Sequence, residues 1–407
     1  MNDLLHPRLA ATALARHLRA VPVTVLSGAR QTGKSTLARS EGGSRRTVID
    51  LDDLAVAGIA KRDPESLVTG PLPVIIDEVQ RAPELLHAIK RVVDRKRVHG
   101  QFLLTGSANL LTTSKVTESL AGRASYLTLW PMTRREQRGL GRAGLWGELL
   151  AASDDAWPDL LAADETGPED WRAWARRGGF PTPSLQLRRP EDRRIWLDGY
   201  IRTYLERDVR TLSTVSSLPD FRRLMHAAAL RTGQLVNQSE LGRDVGMPQP
   251  TVHRHLNLLE TSYMLVRLPA FATNRTSRLI KTPKLFWSDT AVALSLAGDP
   301  EPGGAHLESM ILQDLLAWRD AQADRIDVCY WRASTGKEVD FVVEAGDRLL
   351  PIEVKATARP GANDALALQA FRQEYGRKCR PGLLLHTGTK TWWILPGVLA
   401  TPWWRVV

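Results

Sequence analysis

The run Gly28-Ala29-Arg30-Gln31-Thr32-Gly33-Lys34-Ser35 sets two glycines, a lysine and a hydroxyl at the spacing G-x-x-x-x-G-K-S. Glycines at both ends let the backbone curl so that its N–H groups face inward, and a helix opening at Ser35-Thr36 adds its positive end. Residues 28–36 could therefore cradle nucleotide phosphates. Lys34 would reach the β- and γ-phosphates, and Ser35 would lend its hydroxyl to Mg²⁺. A second apolar run, Val74-Ile75-Ile76-Asp77-Glu78, ends in two acids. Asp77 is placed to hold the Mg²⁺ shell and Glu78 to polarise an attacking water, although acids there could instead cap a following helix. The run from Phe102 to Ser107 ends in polar residues, so Thr105, Ser107 and Asn109 are candidates for contact with the γ-phosphate or the water. Arg123 could neutralise transition-state charge, in trans from a second copy of a homo-oligomer, or make a structural ion pair. No acceptor-binding feature accompanies the loop, so ATP hydrolysis fits better than a kinase.

A second constellation lies further along the chain. Glu338-Val-Asp340-Phe-Val-Val343 alternates like a half-buried strand, Ala345-Gly346-Asp347 reads as a turn, and Leu349–Lys355 returns. Period-two geometry puts Glu353 and Lys355 on one face and Ile352 and Val354 in the core. Asp340 and Glu353 could hold Mg²⁺ or Mn²⁺, with Glu308 on an upstream helix as a further acid. Lys355 could orient or activate water against a phosphodiester. The alternative for the same residues is a structural cluster of ion pairs.

Between the two, Ser239–Glu260 has the pattern of a helix-turn-helix. Ser239 would cap the first helix, Leu241 and Val245 would face the core, and Gly246 would make the turn. Val252, Leu256 and Leu259 would bury the second helix, leaving Gln249, Thr251, His253, Arg254 and Asn257 to meet DNA; the module could also serve only as a packing adaptor. His253 and His255 point apart on a helix and do not read as a metal pair. Met264-Leu-Val-Arg-Leu268 resembles the strand of a winged variant.

These groups need elements to position them. Over roughly the first 130 residues, strand-length apolar runs alternate with helical patterns, which predicts a parallel α/β sheet. Its strands are expected at Val21–Ser27, Thr47–Asp50, Val74–Asp77, Phe102–Gly106 and Tyr126–Leu129. The acidic, proline-containing stretch Asp154–Asp170 reads as an insertion or linker. The expected division is an ATPase domain over 1–150, an acidic linker and helical region over 151–225, a basic winged-helix-like module over 226–290, and a small α/β domain over 300–407.

Composition agrees with several globular domains: 407 residues, 43% hydrophobic and 25% charged, which excludes a disordered chain. No apolar run approaches the ~18 residues of a membrane span, and no secretory signal is visible. Two cysteines, Cys329 and Cys379, exclude a disulfide framework and fit a reducing, cytoplasmic setting. Residues 171–300 hold 20 basic and 11 acidic side chains, nearly all of the chain's net +10. No acid lies between Glu260 and Asp289, where Arg267, Arg275, Arg278, Lys281 and Lys284 accumulate. A polyanion-binding surface would look like this, and so would a solvated arginine-rich helical face. Trp392-Trp393 and Trp403-Trp404 read as packing rather than base stacking.

A polarising glutamate and an additional strand between the two phosphate motifs suggest the AAA-like branch of P-loop proteins. The segments GARQTGKSTLAR, VIIDEVQRAPELL, FLLTGSANLL and SLAGRASYLTLWPMTRRE together resemble a family of bacterial and archaeal AAA-type ATPases with a C-terminal domain of uncharacterised function. That resemblance covers the whole chain and implies ATP binding and hydrolysis. Asp340, Glu353 and Lys355 match the D-x₁₂-E-x-K pattern of the PD-(D/E)xK nuclease superfamily, with Val339 where the pattern has proline. The expected fold class is α/β: an AAA-like P-loop parallel sheet with flanking helices, a helical winged-helix-like middle and a small nuclease-like α/β domain. The function expected first is an ATPase acting on DNA with a metal-dependent nuclease-like domain. The alternative is an ATP-dependent regulatory or scaffolding switch whose nuclease-like domain binds without cutting.

Overall fold

Three of the five strands in the N-terminal region form from short runs rich in Val, Ile or Leu that a parallel sheet buries on both faces, while the two edge strands, Thr47–Asp50 and Ala124–Thr128, are only partly buried. In the computed structural model, which describes residues 6–42, 46–106, 120–163, 167–203, 217–299 and 301–407, the five are β1 (Val23–Ser27), β2 (Thr47–Asp50), β3 (Val74–Asp77), β4 (Phe102–Thr105) and β5 (Ala124–Thr128). The order is β2-β3-β4-β1-β5, parallel throughout. Leu26, Ile75 and Leu103 face the helices Ala10–Ala20 and Lys34–Gly42, while Val25, Ile76 and Leu104 face Leu85–Arg95. With β4 between β1 and β3, the carboxyl ends of all three open on one edge of the sheet, where such sheets bind ligands.

The middle of the chain is a winged helix-turn-helix. Helices Gln238–Val245 and Gln249–Thr261 are followed by an antiparallel pair, β6 (Leu265–Leu268) and β7 (Lys284–Trp287). Leu241, Val245, Val252, Leu256 and Leu259 are buried, and Gly246 turns with φ +67°. The cap is not Ser239. Asn237 Oδ1 accepts from the N–H groups of Ser239 and Glu240 at 3.1 and 3.2 Å, so an equally good capping residue two positions earlier takes the role.

The last domain is a six-stranded mixed sheet of β8 (Ile326–Arg332), β9 (Glu338–Ala345), β10 (Arg348–Lys355), β11 (Gly382–His386), β12 (Trp392–Leu395) and β13 (Val398–Pro402), ordered β12-β13-β11-β10-β9-β8. Helix Gly304–Asp320 packs on one face and Leu366–Tyr375 on the other. Ile352 and Val354 sit in the first core, as period-two geometry predicts, but Glu353 on the opposite face is buried too because that face is also covered.

The acidic stretch after Asp154 is not simply a linker. Trp157–Ala162 is a helix whose Trp157 and Leu161 are fully buried with Trp146, Trp171 and Trp403 against the C-terminal sheet. Asp159 faces solvent while the i, i+4 apolar pair faces inward. Of the tryptophan pairs, Trp403 and Trp404 are buried in that same core, whereas Trp393 is exposed. Among the described residues, no helix is long and apolar enough to cross a membrane.

Candidate active site

β1 ends at Ser27, and the chain turns away at Gly28 with φ +146°. A Cβ there would lie 2.3 Å from the Leu129 carbonyl oxygen, so only glycine lets the loop leave β1 against the end of β5. Gly33, at φ +94°, leads into the helix Lys34–Gly42. The buried Lys34 Nζ donates to the Gly28 and Ala29 carbonyls at 3.1 and 2.7 Å, spanning its own loop. Thr32 Oγ1 donates to the Ala29 carbonyl at 2.9 Å, and Arg8 donates to the Thr32 carbonyl at 2.7 Å. Gln31 and Thr36 are exposed at the lip, and Arg30 is partly exposed.

Across the loop, Ser35 Oγ donates to Asp77 Oδ1 at 2.9 Å. The Thr105 hydroxyl, from the end of β4, donates to the same oxygen and accepts from the Glu78 N–H at 3.3 Å. One carboxylate oxygen thus ties β3, β4 and the helix after the loop together. Glu78 has left-handed backbone geometry, φ +55°, and its carboxylate accepts from the Gln80 side-chain amide. Arg39 lies 3.6 Å from the other oxygen of Asp77. A hydroxyl and a carboxylate are hard oxygen donors, so Ser35 and Asp77 fit a Mg²⁺ site. Ser107 and Asn109 fall outside the described residues.

Arg123 is not part of this site. It precedes β5 at the amino end of the sheet, where its backbone carbonyl accepts from the Val23 N–H, and its guanidinium grips both oxygens of Asp94 at 2.6 and 2.9 Å. The carboxyl edge that carries the loop is at the opposite end, so within its own chain Arg123 makes an ion pair and does not reach the phosphate site.

Two tyrosines, absent from the sequence expectations, touch the loop from outside its domain. Tyr263, at the turn after helix Gln249–Thr261, hydrogen-bonds Ser27 Oγ through its hydroxyl at 2.8 Å and stacks edge-on against Trp130. Burial raises its phenol pKa, against the hydrogen bonds from Ser27 and Thr128. Tyr200 donates to the Arg30 carbonyl at 3.4 Å.

In the C-terminal domain Asp340, Glu353 and Lys355 do come together, and Glu308 lies near enough to interact electrostatically with all three. An unforeseen fifth residue joins them: Lys284 from β7, whose Nζ bonds the Glu338 carboxylate and lies 3.3 Å from Asp340 Oδ1. Asp340 Oδ2 accepts from the Val354 N–H at 3.0 Å, and Lys355 Nζ is 2.6 Å from Glu353 Oε1. Burial, then repulsion from Asp340, pushes the Glu353 carboxyl up to about 8, against the lysines. Burial and Asp340 likewise raise Glu308 well above the carboxylate range. For Lys284, burial opposes the charge, but Asp340, Glu308 and Glu338 outweigh it and raise its pKa. Among the described residues no three His, Cys, Asp or Glu side chains are drawn together as a metal site. The donor set does not fit a divalent ion as it stands.

Three cations of the basic stretch before Asp289 are not free. Arg267 pairs with Glu260 and Arg278 with Glu344, at 2.8 and 2.6 Å, and Lys284 is the buried lysine just described. Lys281 is exposed. Exposed polar groups remain on helix Gln249–Thr261: Gln249, His253 and Arg254 are exposed and Thr251 partly so, with Gln249 and His253 meeting at Gln238.

The strand order and the loop between β1 and its helix define a P-loop ATPase domain of the AAA type. A family model described as "AAA domain" matches residues 20–137, and two described as domains of unknown function (DUF8612 and DUF4143) match 168–302 and 303–406. The uncharacterised proteins Rv2008c of Mycobacterium tuberculosis and Mb2031c of Mycobacterium bovis are each 31% identical over 373 residues, 89% of this chain and 77% of theirs. The chain belongs to the same family as these two proteins. Among solved structures, the Walker-type ATPase PABY2304 of Pyrococcus abyssi is similar over 72% of this chain and 98% of its own, at 17% identity and a TM-score of 0.44.

Proposed function

We propose that this ATPase is a nucleotide-driven switch that works on DNA through its winged-helix module, with a nuclease-like C-terminal domain that binds without cutting. The observation that carries the reading is the convergence of Ser35 and Thr105 on Asp77 beside Glu78. Ser35 and Asp77 would hold Mg²⁺, which when bound offsets charge on the β- and γ-phosphate oxygens. Lys34 would exchange its loop carbonyls for phosphate oxygens. Thr105, bonded on both sides, fixes the Glu78 backbone, and Glu78 would take the proton of the attacking water. The DNA part rests on the exposed Gln249, His253 and Arg254 and the partly exposed Thr251, at the end of a helix that enters a groove in this motif. The absence of cutting is supported by Lys284, an ammonium outside the D-x₁₂-E-x-K pattern that sits on Asp340 within the acid cluster.

The test measures ATP turnover and duplex DNA binding on the full chain. Glu78→Gln should keep ATP binding while hydrolysis falls about 10²- to 10⁴-fold, the range of a lost general base. Arg254→Ala should weaken binding and lower the log–log salt slope by about 1. Unchanged turnover in Glu78→Gln, or binding indifferent to salt, overturns the respective half. Metal-dependent scission that Glu353→Ala abolishes would restore the nuclease reading.

A further inference from the structure

Lys284 begins a strand of four buried residues, Lys284-Leu-Phe-Trp287, in the winged module. Its backbone pairs with Leu268 on β6 and bridges to Leu235, while the adjoining Ala270–Tyr330 bridge joins this module to β8 of the C-terminal sheet. The side chain is thereby carried out of its own module and into the acid cluster of the next. We propose that Lys284 is the resident cation of the centre built by Glu308, Asp340 and Glu353, in place of a divalent ion.

Three observations point the same way. Lys284 is only 4% exposed, so its ammonium is not solvated and must be satisfied by what it touches, namely Glu338, Asp340 and the face of Tyr330, whose centroid is 5.7 Å away. Both oxygens of Asp340 are already engaged, Oδ1 by the Lys284 ammonium and Oδ2 by the Val354 N–H. A divalent ion of the Mg²⁺ class demands near-octahedral oxygens at about 2.1 Å, and it would meet an ammonium on the same carboxylate oxygen. On Glu353 the charge is met by Lys355, whose Nζ lies 2.6 Å from Oε1. Two lysines do the neutralising.

Because the ammonium comes from β7, the centre is also a joint. As long as the winged module is seated, Lys284 excludes a divalent ion; a metal could enter only where that strand withdraws. A buried charge removed singly is costly to its partners, so Lys284 also holds the module to the C-terminal sheet. This goes beyond the ATPase and does not require that the winged module meet DNA.

The experiment titrates Mn²⁺ into the nucleotide-free full chain, read by loss of the free-Mn²⁺ electron paramagnetic resonance signal and by the thermal unfolding midpoint. The phosphate-loop site is removed from the comparison by referring each protein to its Asp340→Asn counterpart. Wild type should show no Mn²⁺ site that Asp340→Asn abolishes. Lys284→Gln should melt lower, gain one site per chain and recover its midpoint with Mn²⁺, and Lys284→Gln/Asp340→Asn should do neither of the last two. An Asp340-dependent site in wild type overturns the proposal, and so does a folded Lys284→Gln that gains none. Should Lys284→Gln not fold, Lys284→Met serves as the second variant, and the wild-type arm decides by itself. Neither readout uses ATP or DNA, so their failure is separable from failure of the ATPase–DNA reading.

Discussion

Asp314, on the helix Gly304–Asp320, is fully buried, with Oδ1 accepting from the Gly144 N–H and the Trp146 indole N–H at 2.7 and 2.6 Å and Oδ2 buried without a partner. Burial raises its pKa to about 6, outweighing those hydrogen bonds. The folded state therefore binds this proton more tightly than the unfolded chain, whose value is about 3.9. Below pH 4 both states are protonated and there is no cost. From pH 4 to 6 the unfolded state releases the proton first, so stability falls as pH rises, by about 3 kcal/mol in full. Asp314→Asn keeps the Oδ1 acceptor and loses the charge. Its unfolding free energy relative to wild type should move in its favour by about that amount between pH 4 and 7, measured by denaturant titration at several pH values. A constant difference across that range would mean that Asp314 titrates normally. At this scale legibility depended on sequence distance. Lys34, Ser35 and Asp77 could be read because loop and strand chemistry is local. Lys284 bonds Asp340, 56 residues away, and a lysine on an apolar strand looks the same whether its ammonium meets water or acids.

At the scale of elements, the strands that place the phosphate site were legible to within a residue or two, since a parallel sheet covered on both sides demands continuous apolar runs. The acidic stretch was not. Its charge and prolines concealed an i, i+4 pair, Trp157 and Leu161, that closes the tryptophan-lined core over the C-terminal sheet. The Trp157 indole N–H also donates to the Leu149 carbonyl at 3.1 Å, and Arg380 stacks on its ring while bonding carbonyls of Leu149 and Ala152. Burying such a ring contributes far more than a surface helix of six residues could, so the segment is a structural part of the last domain. Trp157→Ala should lower stability by about 3–5 kcal/mol, the range for emptying a large aromatic site. Urea unfolding followed by tryptophan fluorescence and far-ultraviolet circular dichroism would check it. A loss under 1 kcal/mol would return the segment to the status of a linker.

Over the whole molecule, the question is how a phosphate loop on one sheet can address a winged module that follows it by more than two hundred residues in the chain. The Tyr263–Ser27 contact offers the shortest route: Ser27 is the last residue of β1, directly before Gly28, and Tyr263 stands between the second helix of the helix-turn-helix and β6. Tyr263 also occupies left-handed backbone, φ +58°, which is strained for an aromatic residue and is held there by packing on Trp130. If ATP shifts the loop, this hydroxyl pair must stretch or move with it, and the helix Gln249–Thr261 moves as part of the same packed unit. Coupling of this kind is a free energy shared by both ligands, so it acts equally in both directions. Tyr263→Phe removes the hydrogen bond and leaves the ring packing. It should shrink the ratio of DNA affinities measured with and without a non-hydrolysed ATP analogue, and shrink the ratio of analogue affinities measured with and without DNA by the same factor. Equal ratios in variant and wild type would place the coupling elsewhere, with the Tyr200–Arg30 contact as the next to alter.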